Sequence, residues 1–128
     1  KQLVAVAGAL ATRPTCIVFD EPTSMLDPLG RRQILATIRR LNAEESITVL
    51  LITQSMDEAA SVGRVVAMHE GHIAMDGPPG DIFEQGKRLR SLGLDLPATV
   101  EIAHRLRDRG LPLPGGVLTA EALVSTLC

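Results

Sequence analysis

Two adjacent carboxylates close a continuous apolar run, Cys16-Ile17-Val18-Phe19-Asp20-Glu21, ahead of Pro22. Side by side, two acids can divide labour, one holding Mg²⁺ through hard oxygen ligands and the other orienting or deprotonating a water. Phosphoryl transfer asks mainly for charge neutralisation and positioning, and a magnesium-holding Asp20 beside a water-polarising Glu21 suits it. Paired acids can equally end a strand or cap a turn. A second apolar run, Thr48-Val49-Leu50-Leu51-Ile52-Thr53, leads into Gln54, a polar side chain able to sense a γ-phosphate from the matching end of a neighbouring strand. Either feature alone could be a loop opening; their coincidence points to a site.

The elements that must carry these residues follow from spacing. Leu3, Val4, Val6, Ala7, Leu10 and Ala11 recur at helical intervals, and Arg13-Pro14 closes that helix because proline disfavours the helical region for the residue before it. The run from Cys16 is apolar on both faces, as buried parallel strands are, so it predicts a central strand with Cys16 as a small buried hydrophobe. Asp27-Pro28 reads as an N-cap with proline in the first turn, followed by an apolar stripe of Ile34, Leu35, Ile38 and Leu41. Strand, helix, strand in this order implies a parallel crossover and an α/β fold.

Further on, Ser55 with Glu58 predicts a capping box for a short helix through Ala60. Val65-Met68 and Ile73-Met75 flank Glu70-Gly71-His72 and read as a hairpin at the sheet edge. Gly77-Pro78-Pro79 marks a boundary, dividing residues 1–77 from a helical extension over 78–128. Helices are expected around Asp81-Phe83, Lys87-Leu92, Thr99-Arg109 with Gly110 as C-cap, and Thr119-Leu127. This extension carries six basic and six acidic residues, which suits a packing or dimerisation module better than an electrostatic arm.

The 128 residues are 45% hydrophobic and 22% charged, which excludes disordered and fibrous classes. A net charge of −2 and an aromatic content of 2% offer neither the excess cation nor the stacking platforms of a nucleic-acid binder. Two distant cysteines suit a reducing compartment. No apolar run approaches the roughly 20 residues that cross a bilayer. His69 and His72 have an H-x-x-H spacing but straddle a turn with no third ligand nearby, and His104 reads as a surface or packing residue. Arg31, Arg32, Arg39 and Arg40 read as the solvated face of an amphipathic helix. The start at Lys1, already within a helical pattern, suggests part of something longer.

The segment Leu3 to Ala11, followed by Cys16-Ile17-Val18-Phe19-Asp20-Glu21-Pro22-Thr23-Ser24-Met25-Leu26-Asp27-Pro28, closely resembles the second half of an ATP-binding-cassette (ABC) transporter ATPase. The resemblance implies a partial RecA-like P-loop NTPase core, lacking its phosphate-loop half, with a C-terminal helical extension. It implies that Lys1-Gln2 follows the signature loop, that Asp20 holds Mg²⁺ through water and that Glu21 is the catalytic base. It also implies that Ser24 to Asp27 is the loop reaching a partner subunit, with Ser24 and Asp27 at the bound ATP. Further similarity runs through Met56-Asp57-Glu58-Ala59 and Glu70 to Pro78. The tail Leu92-Gly93-Leu94-Asp95-Leu96-Pro97 and Ala103-His104-Arg105-Leu106 looks like the energy-coupling-factor and cobalt-importer ATPases.

From this the expected activity is Mg-ATP hydrolysis powering uptake of a vitamin or transition metal ion. The expected setting is the cytoplasmic face of the membrane, with a second ATPase subunit, identical or not, transmembrane permease subunits and no nucleic acid. Two departures stand out. No G-x-x-x-x-G-K-[ST] phosphate loop, adenine-stacking aromatic, Q-loop or signature motif occurs in these residues, so this stretch alone is expected to be inactive. Gln54 also stands where the family usually has a switch histidine, and a glutamine cannot take up a proton. Two other readings are a RecA-like DNA-dependent ATPase and a non-catalytic truncated remnant.

Overall fold

The computed structural model describes residues 2–128, with the side chains of Gln2, Leu3 and Ala5 outside the description. The expected junction of Lys1 with a signature loop therefore lies outside the described residues. The chain forms two compact units, one ending at Gln54 and one beginning at Ser55.

In the first unit, α1 (Gln2–Leu10) packs Val6 and Leu10 against the core, and the chain leaves the right-handed helical region at Arg13, φ 50°, just before Pro14. β1 (Cys16–Asp20) pairs in parallel with β2 (Thr48–Ile52), Cys16 opposite Thr48 and Asp20 opposite Ile52. Between them runs α2 (Pro28–Glu44). Asp27 caps it by accepting from the Gly30 N–H at 2.8 Å, and Pro28 occupies the first turn, where its missing N–H leaves nothing unpaired. Ile34, Ile38 and Leu41 of α2 bury with Ile17, Phe19 and Ile47 into one aliphatic core.

Two expectations about this sheet are corrected. Among the described residues β1 pairs on one side only, and its second face is uncovered: Val18 is 57% exposed, Leu50 53% and Ile52 46%. Cys16 lies on that same alternating face and is exposed rather than buried. Strand alternation sends Ile17 and Phe19 to α2 and the other set outward, where no described layer packs.

In the second unit, α3 (Met56–Ala59) follows Ser55 at the N-cap position, but the Ser55 side chain makes no capping hydrogen bond and Glu58 is buried. The Ser55 half of the expected capping box is therefore not formed. β3 (Val65–His69) and β4 (His72–Gly77) form an antiparallel hairpin with a bulge at Ala67/Met68. Its turn residues Glu70 and Gly71 both have positive φ, 48° and 78°, as a two-residue turn matched to strand twist requires. The hairpin is a sheet of its own among the described residues, not an edge of the β1–β2 sheet.

The helices α4 (Pro79–Glu84), α5 (Gly86–Ser91), α6 (Ala98–Asp108) and α7 (Ala120–Leu127) complete this unit. Gly110 ends α6 with φ 90°, and Thr119 caps α7 by accepting from the Ala122 N–H at 3.1 Å. Ala67 and Met75 of the hairpin share a core with Ile82, Phe83, Leu89 and Val100. The Gly77-Pro78-Pro79 boundary thus falls inside the second unit, between β4 and α4.

Candidate functional site

Parallel strands present their carboxyl ends to ligands in open α/β folds. Asp20 is the last residue of β1, exposed, and sits in register with Ile52 at the end of β2. Glu21 follows in a left-handed conformation, φ 41°, with its N–H donating to the Ile52 carbonyl at 2.9 Å. That bond extends the sheet pairing by one step, and the positive φ then turns the chain away from the strand.

The chain then closes a tight turn. The Ser24 N–H and hydroxyl both donate to the Glu21 carbonyl, at 3.2 and 3.0 Å, and the Leu26 N–H donates to the Thr23 carbonyl at 3.2 Å. Pro22 and Thr23 are buried, whereas Ser24 and Asp27 are exposed. The Ser24 hydroxyl and Asp27 carboxylate are thus engaged within the chain, in the turn and in the α2 cap respectively.

Gln54, two residues beyond β2, brings its Nε2 to 2.8 Å from Glu21 Oε1. The two strand ends that the sequence singled out thus meet through a direct side-chain hydrogen bond. Among the described residues no group of three His, Cys, Asp or Glu side chains is arranged to hold a metal. A single carboxylate, Asp20, fits Mg²⁺ nonetheless, because this ion keeps several waters and draws its remaining ligands from substrate phosphates. His69 and His72 face each other across the hairpin turn, His72 Nδ1 lying 2.9 Å from the Glu70 carbonyl oxygen, with no further ligand gathered there.

Sequence reading missed a second cluster, in the other unit. Arg107 clasps Glu84 with two hydrogen bonds of 2.8 Å, and the Gly116 N–H donates to the same carboxylate at 2.9 Å. The Arg107 guanidinium holds the Glu84 carboxyl down to about 2, against the cost of partial burial. Arg90 and Arg105 both bind Glu101 beside an open groove of about 460 Å³ that also carries Asp57 and Asp95. Of these pairs only Glu101–Arg105, one helical turn apart, had a local signal.

No protein-family model matches the chain. Over all 128 residues it is 56% identical to the energy-coupling factor transporter ATP-binding protein EcfA1 of Symbiobacterium thermophilum. It is 48% identical to EcfA1 of Caldanaerobacter subterraneus, also over 128 residues. It covers 45% and 46% of these two proteins, about half the length of the curated relatives it matches. Among solved structures, cbiO1 from Clostridium perfringens, described as part of the ABC transporter complex cbiONQ, superposes with a TM-score of 0.60 at 30% identity. That match covers 79% of this chain and 41% of cbiO1. A dimeric ATP-binding cassette in a post-hydrolysis state, bound to ADP and Pi, superposes with a TM-score of 0.56 at 31% identity, covering 61% of this chain and 34% of the cassette.

Proposed function

We infer that this chain, which carries part of the ABC ATPase fold and matches the C-terminal half of energy-coupling-factor ATP-binding subunits, supplies the hydrolytic side of a Mg-ATP site. The observation that carries this reading is the hydrogen bond from Gln54 Nε2 to Glu21 Oε1, 2.8 Å, at the carboxyl ends of two parallel strands, of which the one before Glu21 ends on Asp20. Asp20 would hold Mg²⁺, and the ion would supply neutralisation of phosphate charge. Glu21 orients the attacking water and accepts its proton, and the Gln54 amide lies where it can meet the terminal phosphate. Ser24 and Asp27 lie on the loop facing a second ATPase subunit and its nucleotide. This chain has no phosphate loop of its own, so ATP binding depends on residues that it does not contain.

The wider setting is an importer. The matched proteins are named for energy-coupling factor transporters and one structural neighbour for a multi-subunit ABC complex, which supports dimerisation with a like ATPase and coupling to transmembrane permease subunits. No helix among the described residues is long and apolar enough to cross a membrane; the relatives' role in transporters is what supports a peripheral seat on the cytoplasmic face. The neutral segment from Pro78 to Cys128 serves as the dimerisation module, and the cargo is a vitamin or a transition metal ion selected by the membrane partners. Replacing Glu21 by Gln in the complete subunit tests the core of this reading. Turnover should fall by about 100-fold or more while ATP binding persists; hydrolysis at the parent rate would refute the assignment.

A further inference from the structure

The turn that follows Glu21 is pinned on both sides of one residue. Before Met25, the Ser24 N–H and hydroxyl donate to the Glu21 carbonyl; after it, the Leu26 N–H donates to the Thr23 carbonyl. Pro22 and Thr23 are buried, and Leu26 packs against the core that β1 shares with α2. Met25 stands between these anchors and is 90% exposed, more than any other large hydrophobic side chain among the described residues. Four positions on, in the first turn of α2, Leu29 is 56% exposed. Single exposed hydrophobes are ordinary on a protein surface. Met25 differs in that hydrogen bonds and a buried neighbour on either side fix the backbone that displays it, four residues from Glu21.

We propose that Met25 is the apolar anchor by which this loop grips the second ATPase subunit, with Leu29 widening the contact. This rests on the reading of Ser24 to Asp27 as the loop that faces that subunit, and goes beyond it by naming the side chain that supplies affinity. Ser24 and Asp27 already make hydrogen bonds within the chain, so a polar contact there exchanges one bond for another with a small net gain. Met25 gives up only water. Its unbranched thioether adapts to an irregular facing surface, and methionine is enriched where the buried centre of an interface is depleted of charge. The turn is formed before the subunits meet, so little order is lost on contact. A side chain this exposed contributes almost nothing to the fold; what it contributes is pairing.

Diluting the complete ATPase dimer in Mg-ATP tests this, with turnover per subunit read against protein concentration. Met25→Ala should raise the concentration that gives half-maximal turnover about ten-fold, the scale of one apolar side chain left in water. Its kcat at saturating protein and its thermal unfolding midpoint should match the parent's. Met25→Leu, of similar volume and still apolar, should stay within about two-fold of the parent. Met25→Gln, of similar length but polar, should lose as much as Met25→Ala. Dilution curves for the Ala and Gln variants that superpose on the parent curve would overturn the proposal, because the side chain then stays in water when the subunits pair. A lowered kcat at saturating protein would also overturn it, by placing Met25 at the reaction rather than at the contact. Parent subunits that hydrolyse ATP as monomers would instead sink the paired-site reading itself, a result that no Met25 variant is needed to detect.

Discussion

Arg107 and Glu84 form a two-point ion pair between helices α6 and α4, Nη1 to Oε2 and Nη2 to Oε1, both at 2.8 Å. The planar guanidinium matches the carboxylate edge, a geometry that lysine cannot reproduce. His104, also on α6, brings Nε2 to 3.6 Å from Glu84 Oε2, and the Gly116 N–H completes the set. One carboxylate thus ties α4, α6 and the segment leading into α7.

Acid should loosen this tie. Glu84 is held down to about 2, with the Arg107 hydrogen bonds the largest cause. A carboxyl depressed on folding stabilises above its unfolded value and loses that contribution as pH falls through the folded one. Urea unfolding should therefore show stability declining between about pH 4.5 and pH 2. Arg107→Met should flatten that decline and cost about 1–3 kcal/mol at neutral pH, since it leaves a half-buried charge with one partner fewer. An unchanged acid profile in the variant would show that Arg107 does not set it.

The start of α2 gives a more local prediction. Asp27→Ala removes the acceptor at 2.8 Å from the Gly30 N–H and should destabilise by about 1 kcal/mol, while Asp27→Asn should restore most of the loss. Thermal unfolding of the three proteins decides it. Equal midpoints would mean that the cap contributes nothing.

The role of Asp20 predicts a metal phenotype. Asp20→Asn in the complete subunit should raise the Mg²⁺ concentration needed for half-maximal ATPase activity by about ten-fold, because a neutral amide is a poorer partner for a hydrated divalent cation. A Mg²⁺ titration of turnover reads this directly. An unshifted curve would remove Asp20 from the site.

A histidine at Gln54 should raise turnover, since imidazole can donate to Glu21 and also carry positive charge toward the phosphate. Steady-state ATPase rates of the complete subunit with Gln54 or His at this position test it. An unchanged rate would show that the charge adds nothing here.

Much of the fold was legible because its signals are short. The Asp27-Pro28 helix start, the Glu70-Gly71 turn and the Gly110 helix end each depend on a few consecutive residues whose backbone preferences are intrinsic. The apolar runs around Val18 and Leu50 marked both strands, and the intervening helix made them parallel. The same reasoning failed for Cys16 and for Ser55. A run apolar on both faces does not reveal whether a layer covers each face, and a capping pattern does not guarantee that the hydroxyl at the N-cap position turns to the helix.

The sequence by itself determined which polar residues stand at the strand ends, Asp20 and Glu21 after one apolar run and Gln54 after the next, because residue type and strand periodicity are local properties. Only the tertiary structure decided that Gln54 reaches Glu21 and that Arg107 reaches Glu84, pairs separated by 33 and 23 positions. Such contacts depend on the parallel register of β1 with β2 and on how α6 packs near α4, and no periodicity along the chain encodes a distance between side chains that far apart.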